Sequence, residues 1–196
     1  MAVDVDTPHG PARAHVQEAP GAGSILVLGH GAGGGVGAPD LMVATRVALE
    51  EGISVALVEQ PYAVAGRRSP ATAKQLDAAW IAVVAQLAGG RRLIAGGRSS
   101  GARVACRTAE ATGAAAVLCL AFPVHPPGKP EKTRLDELDA VHVPVLVVQG
   151  ESDPFGMPEP RPPDREVAVV PGDHGLKKDP DAVAQAVRRW LSANRA

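Results

Sequence analysis

The chain has 196 residues, 45% of them hydrophobic, with 20 Lys and Arg against 21 Asp and Glu and a net charge of −1. A chain of that size buries a core without help from disulfides or metal, and its balanced charge excludes an electrostatic preference for nucleic acid or an anionic membrane surface. Its two cysteines, Cys106 and Cys119, fall in a predicted helix and a predicted strand, which reads as two free thiols in a reducing compartment.

Residues 1–6 carry acids and no basic segment, so no signal peptide is expected. No apolar run approaches the ~18–20 residues of a membrane span, so a soluble, cytoplasmic protein is expected. Within residues 1–23, two alternating stretches flank Pro8-His9-Gly10-Pro11, which suits either an edge hairpin or an N-terminal tail. Residues 24–196 read as one domain. Ile25-Leu26-Val27-Leu28 is a continuous apolar strand, and Pro39 starts a helix that Gly52 ends. Ile53 to Val58 is the next strand. Ser69-Pro70 is expected to open a helix with Leu76, Trp80, Val83, Val84 and Leu87 on one face.

A short strand at Arg92–Gly96 leads into a helix that runs to Gly113, followed by strands at Ala116–Phe122, Val143–Val148 and Val167–Val170. Asp179-Pro180 caps a last helix with Val183, Ala186, Val187, Trp190 and Leu191 on its apolar face. Strand and helix alternate, and the strands are apolar without alternation. That pattern predicts a doubly wound, mostly parallel α/β sheet with helices on both faces.

Reactive groups in such a sheet gather at the carboxyl ends of its strands. Gly97-Arg98-Ser99-Ser100-Gly101 is a G-x-S-x-G where a strand hands over to a helix. The turn needs tiny residues on both sides of the serine, and it holds the hydroxyl out above the sheet. Asp153 follows the strand that ends at Gly150, and His174 follows the strand that ends at Val170. The chain order is therefore Ser, Asp, His.

These motifs carry a resemblance. His30-Gly31-Ala32-Gly33-Gly34, Gly96 to Ala105, Gln149 to Gly156 and Asp173-His174-Gly175-Leu176 are similar to the α/β-hydrolase superfamily. Within it, they resemble small, cap-less hydrolases distantly similar to dienelactone hydrolases. The resemblance implies an α/β-hydrolase fold and a serine hydrolase acting on carboxylic esters or thioesters. Ser99 would be the nucleophile, His174 the base and Asp153 its buttress. The backbone N–H groups of Ser100 and Ala32 would form the oxyanion hole. The implied chemistry needs no cofactor and no metal, and its partner is a small ester or thioester.

Each assignment has rivals. Asp173 and Glu151 compete with Asp153, and His30, His125 and His142 compete with His174. Gly29-x-Gly31-x-x-Gly34 also matches a dinucleotide-binding fingerprint, with Glu59 at the end of the next strand. Glu59 lies too far along the chain for it, and the glycine run continues to Gly37 where an immediate helix is needed. A hydrolase-like scaffold used only for protein binding is the other alternative. Pro123 to His142 are too few residues for a cap, so an open, shallow site is expected. Arg98, with Arg67, Arg68 and Arg134, reads as solvated arginine before it reads as a carboxylate or phosphate contact. His125 is a candidate substrate contact, and Phe122 and Met157 are candidate pocket walls.

Overall fold

A computed structural model describes residues 1–33 and 35–194. The chain order is β1 Ala2–Val5, β2 Ala12–Gln17, β3 Ser24–Gly29, α1 Pro39–Glu50, β4 Ser54–Glu59, α2 Pro61–Val64, α3 Ala73–Leu87, β5 Arg92–Arg98, α4 Ser100–Thr112, β6 Ala116–Leu120, α5 Leu135–Asp139, β7 Val145–Gly150, β8 Arg165–Val170 and α6 Pro180–Asn194. Among the described residues, eight strands form one sheet in the order β1-β2-β4-β3-β5-β6-β7-β8. β1 and β2 form an antiparallel hairpin, and β2 joins the sheet by pairing antiparallel with β4. Every pairing from β4 to β8 is parallel.

Two apolar layers sandwich this sheet because consecutive side chains of a strand point to opposite faces. Along β3, Ile25 and Val27 enter the layer that holds Trp80 of α3 and Val104 of α4. Leu26 and Leu28 enter the other, with Leu41 of α1 and Trp190 of α6. Strands buried on both faces cannot afford polar residues, which is why they read as unbroken apolar runs. Between β6 and β7 the only helix among the described residues is α5, five residues long, so no cap domain covers the site. No helix is long and apolar enough to cross a membrane among those residues.

One helix start differs from expectation. α3 begins at Ala73 with Thr72 at its N-cap, rather than at Ser69-Pro70. Thr72 and Gln75 have the spacing of a capping box, and Gln75 Oε1 accepts from the Thr72 N–H at 3.2 Å and from its hydroxyl at 3.0 Å.

The sheet order also decides where a site can form. Among the parallel strands, β3 lies between β4 and β5. The chain leaves β3 for α1 on one face and leaves β5 for α4 on the other. Connections that diverge in this way open a crevice beyond the carboxyl ends of β3 and β5.

Candidate active site

Ser99 stands at that crevice. It is the N-cap of α4, with φ 53° and ψ −110°, a conformation that costs a non-glycine residue ~1–3 kcal/mol. The surroundings enforce it. The Ser99 N–H donates to Leu120 O at 2.9 Å, and the glycines on either side let three backbones meet. A Cβ on Gly97 would stand 2.6 Å from Gly29 O, and one on Gly101 would fall onto the same carbonyl. No side chain fits either place. Ser100 then opens α4, where the first N–H groups have no helical acceptor.

Asp153 and His174 reach the serine from the loops after β7 and β8. His174 Nε2 lies 2.9 Å from Ser99 Oγ, and its Nδ1 lies 2.8 Å from Asp153 Oδ2. A carboxylate on Nδ1 puts the ring proton there, leaving Nε2 to accept the hydroxyl proton. The Asp153 side chain is fully buried, and its charge is met by donors on both oxygens. Oδ1 accepts from the Phe155 N–H at 2.8 Å, and Oδ2 accepts from Gln149 Nε2 at 2.8 Å as well as from the imidazole. The Phe155 ring stacks on the His174 ring with centroids 4.1 Å apart. The two loops are also tied directly, because the Ser152 N–H and hydroxyl both donate to Gly172 O, at 3.0 and 2.9 Å.

The loop after β3 closes the third side. A Cβ on Gly31 would lie 3.6 Å from Ser99 Cβ, so this backbone runs beside the serine. His30 is buried and holds the loop from behind. Its Nε2 accepts from the Gln60 N–H at 3.2 Å, so its Nδ1 carries the proton and donates to Gly31 O at 2.7 Å. Tyr62 donates its hydroxyl to the next carbonyl, Ala32 O, at 3.1 Å. Burial raises the Tyr62 pKa, which keeps that hydroxyl a donor. The peptide joining Gly31 to Ala32 is one plane, so a carbonyl turned toward His30 sends the Ala32 N–H the opposite way. Gly34 of the same motif lies outside the described residues. Open clefts flank the loop, one of 460 Å³ against Ala32, Tyr62, Arg67 and Arg68, the other of 400 Å³ against Pro39, Arg98 and Lys177.

Residues 22–184 match the family model described as an alpha/beta hydrolase domain. The chain belongs to the alpha/beta hydrolase family. No curated protein sequence matches it. Among solved structures, it is similar to a lid-less a/b serine hydrolase of Xanthomonas campestris, at 23% identity and a TM-score of 0.76 over 97% of this chain and 94% of that one. It is similar to dienelactone hydrolase from Anabaena variabilis, at 16% identity and a TM-score of 0.78 over 100% and 98%. It is also similar to Est1E from Butyrivibrio proteoclasticus with ferulic acid bound, at 15% identity and a TM-score of 0.79 over 98% of each chain. At these identities the likeness is one of fold.

Several residues of this alpha/beta hydrolase sit differently from the sequence expectation. Phe122 is not a pocket wall: it is 0% exposed and belongs to the core layer of α3 and α4. Ala121, just before it, has φ 52°, which breaks the strand alternation and turns Phe122 inward. His125 is tied into the acid loop. Its backbone N–H donates to Phe155 O at 3.0 Å, its Nδ1 lies 2.9 Å from Pro126 O, and its Nε2 abuts Gly156. Arg98 is no free solvated arginine. Its Nε lies 2.8 Å from Asp40 Oδ2, a charge contact bent away from hydrogen-bond alignment, and its Nη2 donates to His174 O at 2.9 Å. Burial pushes the Asp40 carboxyl above its ordinary range, and the Arg98 charge pulls against that shift. Glu59, the acid of the dinucleotide alternative, is occupied by His15, 2.6 Å away. The free thiols lie 3.5 Å apart in the core, and the Cys106–Cys119 contact, with burial, raises the Cys106 pKa well above the usual thiol range.

Three residues that touch the triad or Arg98 carry no readable role in the sequence. Gln149 and Phe155 stand in a motif that carried a signal, but nothing local says that one orients Asp153 and the other stacks on His174. Asp40 gave no signal beyond an acid in the first turn of a helix.

Proposed function

We propose that the chain is a serine hydrolase that cleaves carboxylic esters or thioesters through an acyl-enzyme on Ser99. The observation that carries this reading is the unbroken hydrogen-bonded series from Ser99 Oγ through His174 to Asp153, at 2.9 and 2.8 Å. A hydroxyl is a poor nucleophile at neutral pH, and an imidazole on it removes the proton as the C–O bond forms.

In the first half-reaction Ser99 Oγ attacks the ester carbonyl and its proton passes to His174 Nε2. The negative oxygen of the tetrahedral intermediate is held by the N–H groups of Ala32 and Ser100, each such donor being worth ~2.7–4 kcal/mol. The intermediate collapses, the C–O or C–S bond to the leaving group breaks, and Nε2 returns the proton to that group. Water then repeats the sequence on the acyl-enzyme, with His174 taking its proton and Ser99 leaving. Asp153 stays ionised throughout and stabilises the imidazolium. The connection from β6 to β7, whose one helix among the described residues is five residues long, favours substrates that reach the serine without a lid.

The test is a panel of p-nitrophenyl esters of rising acyl length, extended to methyl ferulate because a protein of similar fold holds ferulic acid. A burst of p-nitrophenol equal to the enzyme concentration, followed by slower turnover, is expected on at least the short esters. Folded protein that hydrolyses none of the panel and gives no burst would favour the non-catalytic scaffold.

A further inference from the structure

We infer that Arg98 and Asp40 form a buried strut that positions the base, making Arg98 a positioning residue for the hydrolysis rather than a contact for substrate. The inference rests on the triad reading above. Arg98 is the last residue of β5 and the immediate neighbour of Ser99, so its backbone is fixed by the same turn that fixes the serine. Its guanidinium spans three other segments. Nε meets Asp40 in the first turn of α1, Nη2 donates to the His174 carbonyl, and Nη1 passes 3.1 Å from where a Cβ on Gly31 would stand.

The charge balance explains why the fork stays in place. The Asp40 side chain is 0% exposed and that of Arg98 20% exposed. An ionised carboxylate without water needs a cation, and besides Arg98 Asp40 has only backbone N–H groups, that of Leu41 at 3.0 Å and its own. Moving the guanidinium out to bind a substrate anion would leave that carboxylate buried and uncompensated. Lys177 shares the neighbouring cleft and is the cation left free to meet such an anion among the residues lining it.

The consequence for His174 is geometric. Asp153 fixes the ring through Nδ1, while Arg98 holds the backbone carbonyl of the same residue. The ties from Ser152 reach Gly172 O, two residues earlier. The two anchors on His174, with the Phe155 ring stacked on the imidazole, set the direction of Nε2, and a misplacement of about 1 Å at a proton-transfer contact costs ~10²-fold in rate. Lysine is a poor replacement for the fork, because its charge and donors sit on one nitrogen, whereas the guanidinium meets the carboxylate and the carbonyl from two nitrogens held apart in one plane.

The test compares wild type with Arg98→Met, Arg98→Lys and Asp40→Asn, the last being isosteric and therefore the variant that folds if the arginine changes do not. kcat and KM are measured on a neutral and a carboxylate-bearing aryl ester, and the Nδ1 proton of His174 is followed by NMR. We expect kcat to fall ~30- to 100-fold for both arginine variants, with KM within twofold on either ester. Asp40→Asn should fall in the same direction by less, and each variant should shift or broaden the His174 proton signal. Unchanged kcat with an unchanged signal in folded variants would overturn the strut, as would a KM increase confined to the anionic ester. If wild type hydrolyses no ester, the triad reading fails, and the NMR signal still decides whether the strut orients His174.

Discussion

Ser99→Ala lowers kcat on a p-nitrophenyl ester by ~10⁴- to 10⁶-fold, the loss expected when a serine hydrolase keeps its binding groups but has no attacking oxygen. The substitution removes one hydroxyl whose partner is His174, so the fold is retained and KM changes little. A companion variant separates chemistry from folding. At φ 53° and ψ −110°, the Cβ of residue 99 is strained whether the residue is serine or alanine. Ser99→Gly removes that strain, worth ~1–3 kcal/mol, and adds ~0.5–1 kcal/mol of unfolded-chain entropy. The net gain of about 1 kcal/mol raises Tm by ~2–4 °C in a chain of this size, while activity stays as low as in the alanine variant. A glycine variant less stable than wild type would mean that the elbow stores no strain.

Asp153→Asn is the second large effect, with kcat ~10⁴-fold lower. The carboxylate receives N–H donors on both oxygens, from Phe155 on one and from His174 and Gln149 on the other. An amide has one oxygen, so in either orientation its NH₂ faces a donor. The arrangement that relieves this conflict lets the amide donate to Nδ1, which moves the ring proton to Nε2 and leaves nothing to accept the Ser99 proton. The unsatisfied donor also costs ~1–3 kcal/mol of stability. Measuring kcat and Tm together checks both, and a variant with wild-type kcat would remove Asp153 from the relay.

The sheet was legible because burial on both faces leaves a plain mark in sequence, as in Ile25-Leu26-Val27-Leu28. The serine turn was legible for a related reason: close backbone approach at Gly97 and Gly101 admits one residue type. Strand ends then placed Asp153 and His174 on the same rim as Ser99. Where reading failed, the missing information was long-range or conformational. Thr72 displaced Ser69-Pro70 as the helix start through a side-chain pairing with Gln75. The positive φ of Ala121, which no alanine advertises, decided that Phe122 faces the core. Arg98 was legible as an arginine beside a serine, but its role depends on Asp40, a helix residue far away in sequence that reaches it only in the fold.

The most direct measurement is labelling of the folded protein with a fluorophosphonate, followed by digestion and mass mapping of the adduct, with His174→Ala treated in parallel. A phosphonylated Ser99 in wild type and almost none in the histidine variant is the result expected of a hydroxyl activated by that imidazole. An adduct at another residue, or equal labelling of Ser99 without His174, would contradict it.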